Sequence, residues 1–263
     1  MHIIDKNYAQ SLSHHKAGRM GFNHGNRRHA VVRFILTRLF NGGYETGARL
    51  RVEHLAEECD VSVTPVREAL VELAGVGVIE LRPNRGAEVR EFGPKQLWEI
   101  CHLRRILECE AVRGCVGHFT PSELELMEAN FSRLSTADRD EAWLEETKLL
   151  DNELHTVLAE RCGNERLGYE IDRYAVLYRT LRDARDNVRA ARANYSEMEE
   201  NDEHLAIVRA IIKNDREAAA DAMGYHVNQA GYALVQDLFG RRELDQLNLD
   251  SFLAEQTPTP GLR

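Results

Sequence analysis

The stretch LDNELHTVLAERCGN, residues 150–164, sets Asp151 and His155 four residues apart. On a helix that spacing puts a carboxylate and an imidazole on one face, where they can share a metal ion. Further on, NDEHLAIVRAII places His204 in step with Ile207, Val208 and Ile211, on what reads as a buried face, and AAADAMGYHVNQA carries His226 on a following helix. Three imidazoles and one carboxylate are an ordinary ligand set for a divalent ion, zinc first and nickel or manganese next, with water or a ligand completing the shell. Taken singly, each histidine reads equally as a core residue satisfied by a hydrogen bond. A metal-dependent hydrolase that activates water, or a metal that only staples a scaffold, would use the same residues.

Positioning these side chains falls to a long helical region. From Pro94 to about Phe239 the pattern predicts helices over about 94–117, 121–136, 140–162, 164–190, 195–213 and 215–239. The breaks come at Thr120-Pro121, Ala137-Asp138, Gly163-Asn164, a polar stretch, and Asn214-Asp215. Upstream, AVVRFILTRLFNGG turns Val31, Phe34, Ile35 and Leu39 to one side of a helix that stops at Gly42-Gly43. RVEHLAEECDVS and VSVTPVREALVELAGVG give two more short helices, and VIELRPNRGAEVREF gives two strands around an RPNRG turn. Three helices followed by a hairpin is the order of a winged helix-turn-helix. The fold class is therefore mainly α. The expected organisation is an arm over 1–28, a winged helix-turn-helix over 29–90, a linker over 91–94, a helical domain of six or seven helices over 95–240, and a tail over 241–263.

The bulk numbers fit two domains. The chain has 263 residues, 43% hydrophobic and 29% charged, with a net charge of -9. Residues 1–93 hold 13 Lys and Arg against 11 Asp and Glu, while residues 94–263 hold 21 against 32, so the acidity belongs to the helical part. The near-neutral first part leaves nucleic acid open as a partner, since duplex binding draws on Lys and Arg at phosphates. No apolar run is long enough for a bilayer span and no secretory signal is read, so no membrane partner and a cytoplasmic location are expected. Five cysteines without a CxxC pair suggest reduced, packing thiols.

The helix beginning VSVTPVREAL has Ser62 as its expected N-cap, with the hydroxyl accepting a free N–H, and Pro65 tolerated in the first turn. Val66, Ala69, Leu70 and Leu73 can then pack inward while Thr64, Arg67 and Glu68 face out. Arg67 suits a guanine edge or a phosphate, or else pairs with a surface carboxylate.

TGARLRVEHLAEECDVSVTPVREALVELAGVGVIELRPNRGAEV resembles the DNA-binding domain of the GntR family of bacterial transcription regulators, FadR subfamily, with TPVREAL and LRPNRG the most specific parts. The resemblance implies that Arg49, Thr64, Arg67 and the wing tip at Arg85 and Gly86 face DNA, and Ser62 at the helix start is counted with them as a DNA-binding residue. Val63 stands where a base-contacting arginine is usual, and Thr46 where a proline is usual. The region from Pro94 to about Phe239 resembles the subfamily's FCD ligand-binding domain. That likeness implies Asp151, His155, His204 and His226 as metal ligands and Arg104, in LRRILECEAV, as an arginine directed at an effector. Arg104 could also form a surface salt bridge with Glu108, and Arg105, Arg173 and Tyr178 are further pocket candidates. The expected protein is a homodimeric repressor that binds pseudo-palindromic operator duplex and senses a small organic acid, without being an enzyme.

Overall fold

The computed structural model describes residues 24–40, 42–82, 86–138, 140–190 and 198–240. The chain folds as two units, with the boundary between Arg90 and Glu91.

The first unit opens with α1, His24–Phe40. It begins within the stretch expected to be an arm, because its start is tied down: Arg28 forms an ion pair with Glu72 at 3.0 Å. Val31, Val32, Ile35 and Leu36 are buried, whereas Phe34 and Leu39 of the expected face of Val31, Phe34, Ile35 and Leu39 are only partly so. The short helix α2, Val52–Glu58, and α3, Val63–Gly75, follow. Asp60, in left-handed backbone at φ 52°, turns the chain between them. Gly77, at φ +80°, closes the exit from α3, a conformation that costs glycine little.

A three-stranded antiparallel sheet completes the unit, in the order β1 (Arg49–Leu50), β3 (Gly86–Val89), β2 (Ile79–Arg82). The β2–β3 hairpin is the expected one. Strand β1 is an addition: two residues carry no alternation, and Leu50 becomes legible as strand only through its pairing with Ala87. Leu50, Leu55, Val66, Leu70, Leu73, Val78, Ile79 and Val89 fill the core beneath. The architecture is a winged helix-turn-helix. Residues 1–23 of the expected arm, Arg85, and the tail over 241–263 lie outside the described residues.

The second unit consists, among the described residues, of six helices: α4 (Pro94–Cys115), α5 (Pro121–Thr136), α6 (Glu141–Arg161), α7 (Glu165–Ala190), α8 (Met198–Ile212) and α9 (Arg216–Phe239). Several breaks have a clear local cause. Thr120 caps α5, exchanging hydrogen bonds with Glu123, and Asp140 and Asp215 accept from Trp143 and Ala218 N–H at the starts of α6 and α9. Phe131, Leu154, Leu158, Ile207, Val208, Ile211, Met223 and Val227 form the main core.

Backbone approaches most closely at Gly114. A Cβ at Gly114 of α4 would lie 2.2 Å from the Cys162 carbonyl oxygen. Backbone, unlike the end of a flexible side chain, cannot swing aside. Gly114→Ala is therefore expected to lower stability by roughly 1–3 kcal/mol through overpacking, and urea unfolding of the purified variant checks it.

Candidate metal centre and DNA-facing surface

Helix α6 brings Asp151 and His155 to the interior, α8 brings His204, and α9 brings His226. One ligand atom from each lies within 4.8 Å of all the others. Asp151 Oδ1 is 3.0 Å from His204 Nε2, 3.4 Å from His155 Nε2 and 3.9 Å from His226 Nε2. The other oxygen of Asp151, Oδ2, accepts from Arg182 Nη1, so Oδ1 is left facing the imidazoles.

Two of the three rings are oriented from behind. His155 Nδ1 sits 2.5 Å from Glu108 Oε2 and His226 Nδ1 sits 2.9 Å from Glu203 Oε2. A carboxylate only accepts, so each Nδ1 carries a proton, and Nε2 is the nitrogen that faces the cluster and can ligate once it is free of a proton. These two Nε2 atoms lie 3.2 Å apart, an arrangement that calls for a proton or a cation between them. His204 is fully buried and neither of its ring nitrogens has a hydrogen-bond partner. Its Nε2 is close to Asp151 Oδ1 but not angled to donate to it. A buried polar atom left without a partner costs about 1–3 kcal/mol, and a metal ion is the partner this donor set fits.

The electrostatics favour ligation at Asp151 and His226, while at His155 burial would lower the imidazole but the Glu108 charge outweighs it and raises it, so an ion bound there displaces a proton. Burial would push the Asp151 carboxyl up, but the Arg182 charge outweighs it and holds Asp151 well below the usual range, ionised. Burial, then the charges of His204 and His155, drive His226 well below the ordinary imidazole value, into the neutral form that ligates. Burial would also raise Glu108; Arg104 and His155 overcome it and bring the carboxyl down to about 2.

Arg104 is buried on α4, with its Nε 2.5 Å from Glu108 Oε1 and its guanidinium 3.6 Å from the centre of the Tyr178 ring. The Arg104–Glu108 pair therefore exists, but in the interior instead of on the helix surface, because α7 covers this face of α4. Arg104 lines a cavity with Asp151, Asn152, His155, Tyr178 and Arg179, and its buried Nη1 has no hydrogen-bond partner. Of the other pocket candidates, Tyr178 is on this wall, while Arg173 pairs with Glu170 at 2.6 Å and neither it nor Arg105 lines the cavity.

Sequence reasoning missed Glu203 and Arg182 and misplaced Glu108. Glu203 could have been suspected from its place beside His204, whereas no local signal singles out Arg182 among its neighbours Arg179 and Arg185. Carboxylates behind metal-ligating histidines commonly contribute 10–100-fold to metal affinity. Glu203→Gln, which leaves Asp151 and all three imidazoles in place, is expected to weaken zinc binding by about that factor in a competition titration with a chromophoric chelator.

On the first unit, Arg49, Thr64, Arg67 and Gly86 are all exposed. Arg67 makes no ion pair with a described residue, so the surface salt bridge considered for it is not seen. Ser62 occupies the N-cap position of α3 with extended backbone, at φ -72° and ψ 166°, but its hydroxyl makes no cap hydrogen bond. The cap hydrogen bond expected of it is thus absent, although the backbone conformation is that of a cap. Gly86 begins β3 in left-handed backbone at φ +81°.

The winged helix joined to a helical unit with a buried Asp-and-His cluster defines a class. Residues 28–89 match the family described as bacterial regulatory proteins, gntR family, and residues 99–229 match the FCD domain. The chain belongs to the GntR family of transcriptional regulators, in the branch that carries an FCD domain. Among its relatives, the HTH-type transcriptional regulator McbR of Escherichia coli K12 is 38% identical over 96 residues, which span 36% of this chain and 43% of McbR. The HTH-type transcriptional repressor RspR of the same organism is 26% identical over 80% of this chain and 86% of RspR. The solved structure of E. coli McbR/YncC matches 80% of this chain and 97% of its own at 25% identity, with a TM-score of 0.58. No helix among the described residues is long and apolar enough to cross a membrane.

Proposed function

We propose that the protein is a repressor that binds a pseudo-palindromic operator as a homodimer, and that a small organic acid held beside a metal ion in the helical unit controls its grip on DNA. The observation that carries this reading is the convergence of Asp151 Oδ1 and the Nε2 atoms of His155, His204 and His226, next to a cavity lined by Arg104 with its unpartnered Nη1. Zinc suits three nitrogens and one carboxylate oxygen, and nickel or manganese would also be accommodated. When bound, the ion supplies a Lewis-acidic position for one oxygen of the acid. Arg104 supplies charge and N–H donors for a carboxylate, held in place by Glu108 and the Tyr178 ring. Glu108 and Glu203 are both committed to orienting imidazoles, so neither is free as a general base for activating water, and the site reads as a sensor without catalysis.

In the first unit, α3 is the recognition helix, presenting Thr64 and Arg67 to the major groove, with Ser62 at its start. Arg49 and the wing at Arg85 and Gly86 contact the backbone or groove alongside. Two-fold symmetry of the dimer matches the symmetry of the operator. The acid changes DNA affinity only as far as it binds the DNA-competent and DNA-incompetent arrangements differently. RspR is named a repressor, which supports that direction of control.

Native mass spectrometry of the full chain, purified from cells without added metal, tests the site. One divalent ion per chain, with a small acid retained alongside it, is expected. Metal-free chains that take up no zinc on titration would contradict the reading.

A further inference from the structure

The outward face of α3 is unusual for a surface helix. Val63, Arg67 and Val71 follow at four-residue intervals, which sets them in one stripe, and all three are exposed, Val63 by 37% and Val71 by 61%. Thr64 and Glu68 flank them, also exposed. A β-branched residue loses rotamer freedom in a helix, so an outward valine contributes nothing to α3 that an alanine or glutamate would not supply better. Val63 is moreover the first residue of α3. In a helix-turn-helix the N-terminal residues of the second helix are the ones that meet the base edges.

An isopropyl group neither donates nor accepts a hydrogen bond. Of the features that the four base pairs show in the major groove, the one it complements is the C5 methyl of thymine. We propose that Val63 reads a thymine in each operator half-site through that methyl group, as a specificity-determining contact. The inference rests on the DNA-binding role of α3 given above and adds what one position of it recognises. Ser at position 63 would have no methyl to offer.

The test starts from operator sites selected from random duplex DNA by the full chain. Each thymine of the selected half-site is then replaced singly by uracil, which removes the methyl and keeps every hydrogen-bonding group. For the wild type, one uracil replacement per half-site is expected to weaken binding about fourfold, the worth of one buried methyl group, and the others to have little effect. Val63→Ser, at an exposed position that the fold does not rely on, is expected to bring that sensitivity below about twofold. Selective binding in which no thymine responds to uracil, or a response that survives in Val63→Ser, overturns the proposal and leaves the regulator intact. Failure to enrich any sequence at all removes both.

Discussion

Asp151→Ala is expected to destabilise the metal-free helical unit by about 3–5 kcal/mol. Asp151 sits in the interior with Arg182 on one oxygen and three imidazoles around the other. Removing it deprives Arg182, itself only 5% exposed, of this carboxylate in a place where solvent cannot replace it. A deficit of that size lowers the melting temperature by about 10 °C in a unit of this length. Measuring both proteins after exhaustive chelation matters, because the loss then belongs to the buried guanidinium and not to a missing ion. A metal-free variant that melts with the wild type would show that Arg182 finds equivalent partners elsewhere. In the same variant, zinc uptake at the site should vanish, since Asp151 supplies the one oxygen of the set.

Arg104→Ala is expected to be nearly as costly, about 3 kcal/mol at neutral pH, by leaving Glu108 buried without the guanidinium and with only His155 against it. Its pH dependence distinguishes this cause from a simple loss of packing. In the wild type the folded Glu108 carboxyl, at about 2, lies below its ordinary value of 4.5. A depressed carboxyl contributes stability that is complete above the ordinary value and lost as pH falls toward the folded one. Without Arg104 the folded value rises and that contribution shrinks or reverses. The gap between wild type and variant is therefore widest at neutral pH and narrows as pH falls through 4.5 toward 2. Urea unfolding at a series of pH values reads this directly, and a gap independent of pH would assign the loss to packing against Tyr178. Arg104→Lys keeps the charge but not the planar fork. It should recover most of the stability while still losing most of the response to the acid, which separates the structural duty of Arg104 from its duty to a ligand.

Much of the fold was legible because it is written in short-range terms. The Gly42-Gly43 stop, Thr120-Pro121, and the Asn214-Asp215 break are local signals with local causes, and the periodicity of Val66, Ala69, Leu70 and Leu73 names the inner face of α3 without help from the rest of the chain. Strand β1 was not legible, since Arg49 and Leu50 become a strand only by pairing with Glu88 and Ala87. The start of α1 was missed for a related reason: what fixes it is Arg28 reaching Glu72, far along the sequence. The ligand set was suggested by spacing and sharpened by family resemblance, but the groups that orient it were hidden. Glu108 and Arg182 look like surface charges on amphipathic helices. Their burial follows from how α4, α6 and α7 pack, and the hydropathy of a single helix does not disclose it. Ser62 shows the reverse case, where a sequence pattern suggested a cap hydrogen bond that the hydroxyl does not make.

The most direct measurement is operator affinity of the zinc-loaded full chain, titrated with a panel of small mono-, di- and tricarboxylic acids, with Asp151→Ala and Arg104→Lys alongside. At least one acid is expected to weaken wild-type binding tenfold or more, a coupling of about 1.4 kcal/mol, within the ordinary range for linked sites. The same acid should leave both variants' operator affinity nearly unchanged. Tight, sequence-selective DNA binding that no acid alters, in a protein shown to hold its zinc, would contradict a ligand-controlled operator protein and leave the metal a structural role.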